Sequence, residues 1–261
     1  MRRDRITKIL LAFILAFVFT FGGTAGSIAA EPSDGVESGK QVSVMEAVYD
    51  TPGEEPQPPS LVVVDDDFEG KAEGDTFEYD GVEYTYGVDA FSTVQDAVNK
   101  VAEGGTVRVA AGTYEESVVI GKTLKLLGAQ EGVDPRPSKG GRKGPESIVV
   151  NNKTVLTITA HDVEVNGFTF KSTSLDDSNY IVLAVNAEAP RIVYNIVCHE
   201  PGGASDDAIK VRRTGSRGAV VSYNYVYDIP YPGDAIGFDT VHGGEISYNE
   251  IWNNASANAA I

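Results

Sequence analysis

The acidic residues best suited to chemistry lie in two short segments that resemble each other. Asp206 and Asp207 precede "AIKVR", and Asp234 precedes "AIGFD". If the two segments are superimposed, Asp207 lies one level below Asp234, and their carboxylates must either repel each other or share a cation. Calcium binds through oxygen ligands such as these. The alignment therefore predicts calcium as a cofactor, with Asp206, Asp207 and Asp234 as its ligands.

The same segments carry the densest group of cations near the repeats. Lys210, Arg212 and Arg213 lie together in "IKVRR". Alternation along a strand places Lys210 and Arg212 on the outward side, and an arginine can pair with the carboxylate of a uronic acid. Arg212, Arg213 and the nearby aromatic Tyr231 are therefore candidate carbohydrate-binding residues.

Some of these residues are also candidates for catalysis, although they complete no acid/base or nucleophile set. The candidate catalytic residues are Asp207, Lys210, Arg212, Asp234 and Asp239. The alternative involves no chemistry: Asp207 and Asp234 would be turn residues before strands. Arg212 and Asp239 would then form a surface cross-strand pair worth about 0.2–1 kcal/mol.

Charge and cysteine content limit the partners of the chain. Its 261 residues include 21 Lys+Arg and 38 Asp+Glu, a formal net charge of −17. This charge disfavours nucleic acid and anionic membranes as partners, and it would also repel an acidic polysaccharide unless local cations bind it. The single cysteine, Cys198, excludes an internal disulfide framework. We expect this residue to be a small buried hydrophobe rather than a reactive thiol.

A repeat in the second half of the chain would position these side chains. The segments "VEVNGFTF", "RIVYNIVC", "VVSYNYVY" and "EISYNEIW" share one frame, whose asparagines are Asn166, Asn195, Asn224 and Asn249. A second frame interleaves with the first and contains Ile209, Ile236 and Ile261. Self-similarity at such a period is typical of stacked architectures.

The stack predicted by this repeat is an all-β parallel β-helix. No segment between the frames has helical periodicity, and each strand would pair with its copy about 4.8 Å away. Each asparagine would lie at a sharp bend, adopt left-handed backbone angles and bond to the asparagines above and below it as a ladder. The alternative is that the asparagines mark ordinary turns of a β-sandwich.

One helix is predicted, in "AFSTVQDAVNKVAEGG". Ser92 and Gln95 match a capping box, and the glycines that follow supply a stop signal. A single apolar stripe consists of Val94, Ala97, Val98 and Val101.

A hairpin is predicted before this helix, in "DTFEYDGVEYTYG". Asp80-Gly81 suits a two-residue type I′ turn. Pairing across this turn places Phe77 opposite Tyr84 and places Tyr79 opposite Val82.

The N-terminus has the pattern of an export signal. A basic start precedes an apolar run from Ile9 to about Phe21 and then small residues. The run is shorter than the roughly 20 apolar residues that span a bilayer. We expect a cleaved signal peptide at 1–30, and hence a secreted or cell-surface protein with no membrane span after cleavage.

The rest of the chain divides by composition. We predict a disordered, acidic, Pro-rich linker at 31–60, a hairpin lead-in at 61–88 and a β-helix domain at 89–261. The Gly/Pro-rich segment 131–147 is predicted to be a mobile loop, with a lid over a ligand as a further role. Ile261 falls within a strand frame, so we expect a further C-terminal region or a partner to cap the last rung.

The segment "DAFSTVQDAVNKVAEGGTVRVAAGTYEESVVIGKTLKLLGA" resembles the start of right-handed parallel β-helix proteins of the pectin-lyase-like superfamily. The resemblance covers about residue 88 to the end. It implies an N-terminal capping helix on the first rung. It does not imply one activity, because the superfamily contains lyases, hydrolases, esterases, epimerases, tailspikes and adhesins.

The enzyme motifs of the superfamily are incomplete in this chain. Gly112, Tyr114 and Glu116 match the G-x-Y-x-E motif of pectin esterases, but the segment with their catalytic aspartate is absent. Asp206-Asp207 resembles the pair of polygalacturonase-type hydrolases without its preceding glycine. We therefore expect a protein that binds, or presents a surface toward, extracellular polysaccharide. The alternative is an enzyme that degrades uronic-acid glycans in the manner of a lyase, a glycoside hydrolase or a pectin esterase.

Overall fold

The computed structural model describes residues 57–205, 207–213, 217–230 and 232–255, and this part of the chain is mostly β. It contains one α-helix, α1 (Val94–Lys100), and 3-10 turns at Asp66–Phe68 and Pro137–Lys139. Its strands are β1 (Leu61–Val64), β2 (Thr76–Tyr79), β3 (Val82–Thr85), β4 (Ala90–Phe91), β5 (Thr106–Val109), β6 (Gly112–Tyr114), β7 (Val118–Ile120), β8 (Lys125–Leu127), β9 (Ser147–Asn151), β10 (Leu156–Ile158), β11 (Glu164–Asn166), β12 (Phe168–Ser172), β13 (Val182–Val185), β14 (Arg191–Val193), β15 (Ile196–His199), β16 (Ile209–Arg212), β17 (Val220–Ser222), β18 (Tyr225–Tyr227), β19 (Ile236–Asp239), β20 (Glu245–Ser247) and β21 (Glu250–Trp252).

Most of these strands form three parallel sheets. The first sheet has the order β4-β1-β5-β8-β11-β14-β17-β20, the second β6-β9-β12-β15-β18-β21 and the third β7-β10-β13-β16-β19. Three consecutive strands, one from each sheet, form a rung. Val165 pairs with Ile192, Ile192 with Val221, and Val221 with Ile246, so the register repeats at intervals of 27, 29 and 25 residues. The arrangement is consistent with the predicted all-β solenoid and compatible with a parallel β-helix.

The core lies between the sheets and is built by alternation along each strand. Val107, Leu126 and Val165 occupy equivalent inward positions on neighbouring strands of the first sheet and are fully buried. On the second sheet, the rings of Phe168 and Phe170 stack with centroids 5.3 Å apart. Burying one such side chain stabilises the fold by about 1.5–3 kcal/mol. The outward side chains between these positions are therefore free to serve binding.

Three asparagines form a ladder at the corner between the first and second sheets, where Asn195 and Asn224 are fully buried and Asn249 is half-buried. The Oδ1 atom of Asn224 accepts a hydrogen bond of 2.9 Å from the backbone N–H of Asn195, and Asn249 accepts one of 2.9 Å from the N–H of Asn224. The side-chain amides also bond along the ladder, at 3.3 Å from Asn195 to Asn224 and at 3.0 Å from Asn224 to Asn249. The predicted ladder is confirmed for these three residues.

The inclusion of Asn166 in the ladder was wrong. Thr169 pairs with Ile196, which places Phe168 rather than Asn166 level with Asn195. The N–H of Phe168 donates to Asn195 Oδ1 at 3.0 Å, and this bond ends the ladder.

The left-handed backbone at this corner belongs to a tyrosine, so its assignment to asparagine was also wrong. Tyr194, Tyr223 and Tyr248 have φ values of 54°, 59° and 54°. Their rings stack, with centroids 4.9 Å apart in both neighbouring pairs. An aromatic pair is worth about 0.5–1.5 kcal/mol, which offsets much of the ~1–2 kcal/mol that a left-handed residue costs.

Helix α1 has the predicted buried stripe but not the predicted cap. The stripe residues are at most 2% exposed. Thr93 is the N-cap, because its hydroxyl accepts from the N–H of Asp96, whereas Ser92 bonds to the hydroxyl of Tyr86. Gln95 serves another purpose: its side chain accepts from the N–H of Val119 at 2.6 Å and donates to the Val119 carbonyl at 3.2 Å. It therefore satisfies the edge of β7 as a neighbouring strand would.

The predicted hairpin is confirmed. Strands β2 and β3 pair antiparallel with Phe77 opposite Tyr84 and Tyr79 opposite Val82. Asp80 and Gly81 both have positive φ, at 50° and 76°, as a type I′ turn requires.

Segment 131–147, which we call the corner loop, is anchored to the solenoid through Arg142, and its predicted mobility stays a prediction. Arg142 has a side chain that is only 2% exposed and forms an ion pair of 2.6 Å with Glu146. It also donates to the carbonyls of Phe168 and Tyr194, which lie in successive rungs. Because these carbonyls lie at the rung corner, Arg142 fixes the loop along the corner between the first and second sheets.

Several predictions fall outside the described residues: the signal peptide, residues 31–56 of the linker, Asp206, Tyr231 and Ile261. They stay predictions, as do the proposed domain boundaries.

Candidate functional site

The outward side of the third sheet, which we call the third-sheet face, lacks acidic residues over four strands. The outward side chains of β7, β10, β13 and β16 are Val119, Thr157, Leu183, Val185, Lys210 and Arg212. Strand pairing places Val119, Thr157, Leu183 and Lys210 in one row. In a chain with 38 acidic residues, this strip is uncharged at one end and carries Lys210 and Arg212 at the other, its cationic end. The next strand, β19, places the exposed Asp239 beside Arg212.

The cationic end is built on a buried ion pair. Asp207 is 4% exposed, and its Oδ2 atom lies 2.7 Å from the ammonium of Lys210. Its other oxygen, Oδ1, accepts from the backbone N–H of Asp234 at 3.0 Å. Gly237 lies beside Lys210 on the next strand, and a Cβ atom there would come within 2.2 Å of the Asp207 carboxylate. The glycine therefore leaves space for the ion pair.

This geometry bears directly on the predicted calcium site. Asp207 and Asp234 do lie in successive rungs, as the alignment predicts. Both carboxylate oxygens of Asp207, however, already have partners, so calcium would have to displace the ammonium of Lys210. Because Asp206 lies outside the described residues, the calcium site stays a prediction.

Breaking the ion pair should destabilise the protein. Lys210→Met is expected to lower the free energy of unfolding by about 1–3 kcal/mol, because the Asp207 carboxylate loses its charged partner. The loss should stay below the 3–5 kcal/mol of a fully buried pair, since the Lys210 side chain is 20% exposed. Adding Asp207→Asn should recover much of this loss, because the oxygen of the neutral amide still accepts from the backbone N–H of Asp234. Urea unfolding measures the free energy of unfolding of both variants. An unchanged free energy for Lys210→Met would contradict the ion pair.

A tyrosine from another rung holds Arg212 in a position to recognise a ligand. Its Nη1 atom donates to the hydroxyl of Tyr180 at 2.7 Å, and its guanidinium carbon lies 5.9 Å from the centre of that ring. Arg212 pairs with Asp239 in the strand register, as the alignment predicts. Arg213 follows as an exposed cation, with a φ of 80°. A planar guanidinium held in this way suits a carboxylate ligand.

The G-x-Y-x-E residues have structural roles in this protein. Glu116 accepts from the N–H groups of Val94 and Gln95 at 2.7 and 2.8 Å, so it satisfies the N-terminus of α1. Burial raises the pKa of this carboxyl, while the two backbone bonds act in the opposite direction. Tyr114 is buried, and its hydroxyl donates to the Ala110 carbonyl at 3.1 Å. The match to pectin esterases therefore supports no catalytic role.

Cys198 is buried as predicted, and burial raises the pKa of its thiol. The neighbouring His199 is also buried, and its two ring nitrogens contact the carbonyls of Glu200 and Ala204 at 2.7 and 3.1 Å.

The acidic run Asp65–Asp67 is the one group of three that lies close enough to hold a metal among the residues described. Asp65 accepts from the N–H of Asp67 at 3.1 Å, and Asp66 accepts from the N–H of Thr113 at 3.0 Å. These bonds tie the first rung together.

Comparison of the chain with protein-family models, with curated proteins and with solved structures finds no match. Among the residues with described positions, no helix combines the length and apolar character needed to cross a membrane.

Proposed function

We propose that the protein is an exported right-handed parallel β-helix of the pectin-lyase-like superfamily that binds an anionic extracellular polysaccharide along the third-sheet face. One observation carries the proposal: the outward positions of β7, β10, β13 and β16 hold no carboxylate and end in Lys210 and Arg212.

Charge supports an anionic ligand at this face. The net charge of −17 repels polyanions from most of the surface. Screening limits that repulsion to about 8 Å at physiological ionic strength, so direct contacts decide what binds. Arg212 can form two parallel bonds to a uronate carboxylate, and Arg213 adds a second exposed cation.

The shape of the face supports a polymer rather than a small anion. Successive strands lie about 4.8 Å apart, close to the length of one pyranose unit. A sugar chain laid across the strands would contact Val119, which is 50% exposed, and Leu183 with its apolar ring faces. Its carboxylates would then reach Arg212 at the cationic end.

The test is binding of the folded protein to immobilised polygalacturonate and alginate, with dextran as the uncharged polymer. Arg212→Gln is expected to weaken binding at least tenfold, because a hydrogen bond to a charged group is worth about 1.5–3 kcal/mol. Arg191→Gln is the matched control, since Arg191 is an exposed outward arginine on the first sheet.

Equal losses in the two variants, or no binding to either polyanion, would contradict the proposal. The same incubations should be examined for new reducing ends and for unsaturated products. Cleavage of the polymer would replace the binding proposal with the enzymatic alternative.

A further inference from the structure

A separate cavity lies between the hairpin and the outward side of the first sheet. Its volume is about 370 Å³. Tyr79 and Tyr84 of the hairpin form one wall, Val63 and Leu127 of the first sheet contribute apolar surface, and Arg108 and Glu131 line it with charge. None of these residues belongs to the third-sheet face.

The hairpin wall is fixed in place, so the cavity exists before any ligand arrives. The ring of Phe68 packs edge-on against Phe77 at 4.7 Å and against Tyr79 at 5.2 Å. The ammonium of Lys71 lies 4.3 Å from the centre of the Phe77 ring on the same hairpin. Burial and a hydrogen bond to Asp65 raise the pKa of Tyr79 to about 12, so its hydroxyl stays protonated at neutral pH.

The charged lining offers donors and an acceptor side by side. Nη1 of Arg108 lies 3.0 Å from a carboxylate oxygen of Glu131, and the two side chains are 56% and 40% exposed. The pair has no net charge, and Asp80 adds a further carboxylate to the lining, so an anion gains little at this cavity. Its remaining guanidinium N–H groups and carboxylate oxygen suit neighbouring hydroxyls, which donate and accept at once.

The apolar walls select among hydroxyl-bearing ligands. Tyr79 and Tyr84 lie edge to face, with centroids 6.4 Å apart. Their rings provide apolar surface on the hairpin side, and Val63 and Leu127 flank Arg108 on the neighbouring strands of the first sheet. A pyranose ring has a complementary construction, with C–H groups on its faces and hydroxyls on its rim. The volume lies at the lower end of the range for small-molecule sites, enough for one or two sugar units.

We propose that this cavity binds a neutral hexose unit, with Tyr84 against the sugar ring and the Arg108–Glu131 pair bonded to its hydroxyls. The site is independent of anionic polymer binding at the third-sheet face. It would allow the protein to hold a neutral sugar, such as a side branch or chain end, on a different side from its main ligand.

The test is a titration of the isotope-labelled folded protein with neutral methyl hexopyranosides, followed by backbone amide shifts. Saturable changes confined to residues 79–84, 108–110 and 127–131 are expected, with dissociation constants on the order of millimolar. Arg108→Met should raise the dissociation constant at least tenfold. Lys125→Met, which removes an exposed cation from the same sheet outside the cavity, should leave it unchanged.

Tyr84→Phe should bind nearly as well as the unmodified protein, whereas Tyr84→Ala should not bind. Unchanged spectra with every glycoside, or equal binding by the Arg108→Met protein, would overturn the proposal. Because the probes are uncharged, Arg212→Gln should have no effect, so failure here is distinct from failure of polyanion binding.

Discussion

Asn224→Ala should lower the free energy of unfolding by about 3–5 kcal/mol. The fully buried side chain accepts from the backbone N–H of Asn195 and donates to Asn249 and to the Ile192 carbonyl, at 2.9, 3.0 and 2.8 Å. Alanine would leave several of these polar groups without partners, and each costs about 1–3 kcal/mol when buried. Urea unfolding followed by circular dichroism gives the difference.

The matched control is Asn166→Ala. Asn166 belongs to the same sequence frame but lies outside the ladder, where it accepts from Gly132 at 2.9 Å and donates to Glu164 at 3.2 Å. Its loss should cost about 1 kcal/mol. Equal losses of unfolding free energy in Asn166→Ala and Asn224→Ala would contradict the register described above.

The second large effect is expected at Arg142. Arg142→Met should cost about 2–4 kcal/mol, because Glu146 would lose its buried partner and two backbone carbonyls would lose a donor. The corner loop should then detach and become sensitive to proteases within residues 131–147. Limited proteolysis followed by mass spectrometry detects this cleavage.

Lys143→Met is the control for that experiment, since Lys143 is exposed one residue further along the same loop. The Lys143→Met protein should resist proteolysis as well as the unmodified protein does. A resistant Arg142→Met protein would show that the loop is held by other contacts.

The second half of the fold could be predicted because its side chains recur. The alignment of Ile209 with Ile236 gave the register of β16 and β19 directly, and it brought Asp207, Asp234 and Arg212 to one face. The hairpin followed from Asp80-Gly81, where local turn chemistry determines the pairing. In both cases the information lies within a few residues.

The error at Asn166 has a local cause. The left-handed position before the ladder is occupied by tyrosine in the later rungs but by Gly167, with φ of 88°, in this one. Phe168 then takes the place of the asparagine. Alignment on the glycine, which favours positive φ, would have given the observed register.

The rest of the site depends on contacts that no repeat encodes. Lys210 reaches back to Asp207 on the same strand segment, and Arg212 bonds to Tyr180 from 32 residues earlier. The corner loop contacts the solenoid through two buried arginines, Arg136 over the ring of Tyr223 and Arg142 at the rung corner. The bond between Arg212 and Tyr180 forms only when the rungs are stacked.

Parallel stacking of the rungs is the feature on which both the fold and the proposed binding depend, because stacking alone creates the third-sheet face. Backbone nuclear Overhauser contacts test it directly. We predict cross-strand contacts from Ala184 to Val211 and from Val211 to Phe238, with both series running in the same chain direction. Contacts that run in opposite directions, or none between these positions, would contradict the fold and the binding face together.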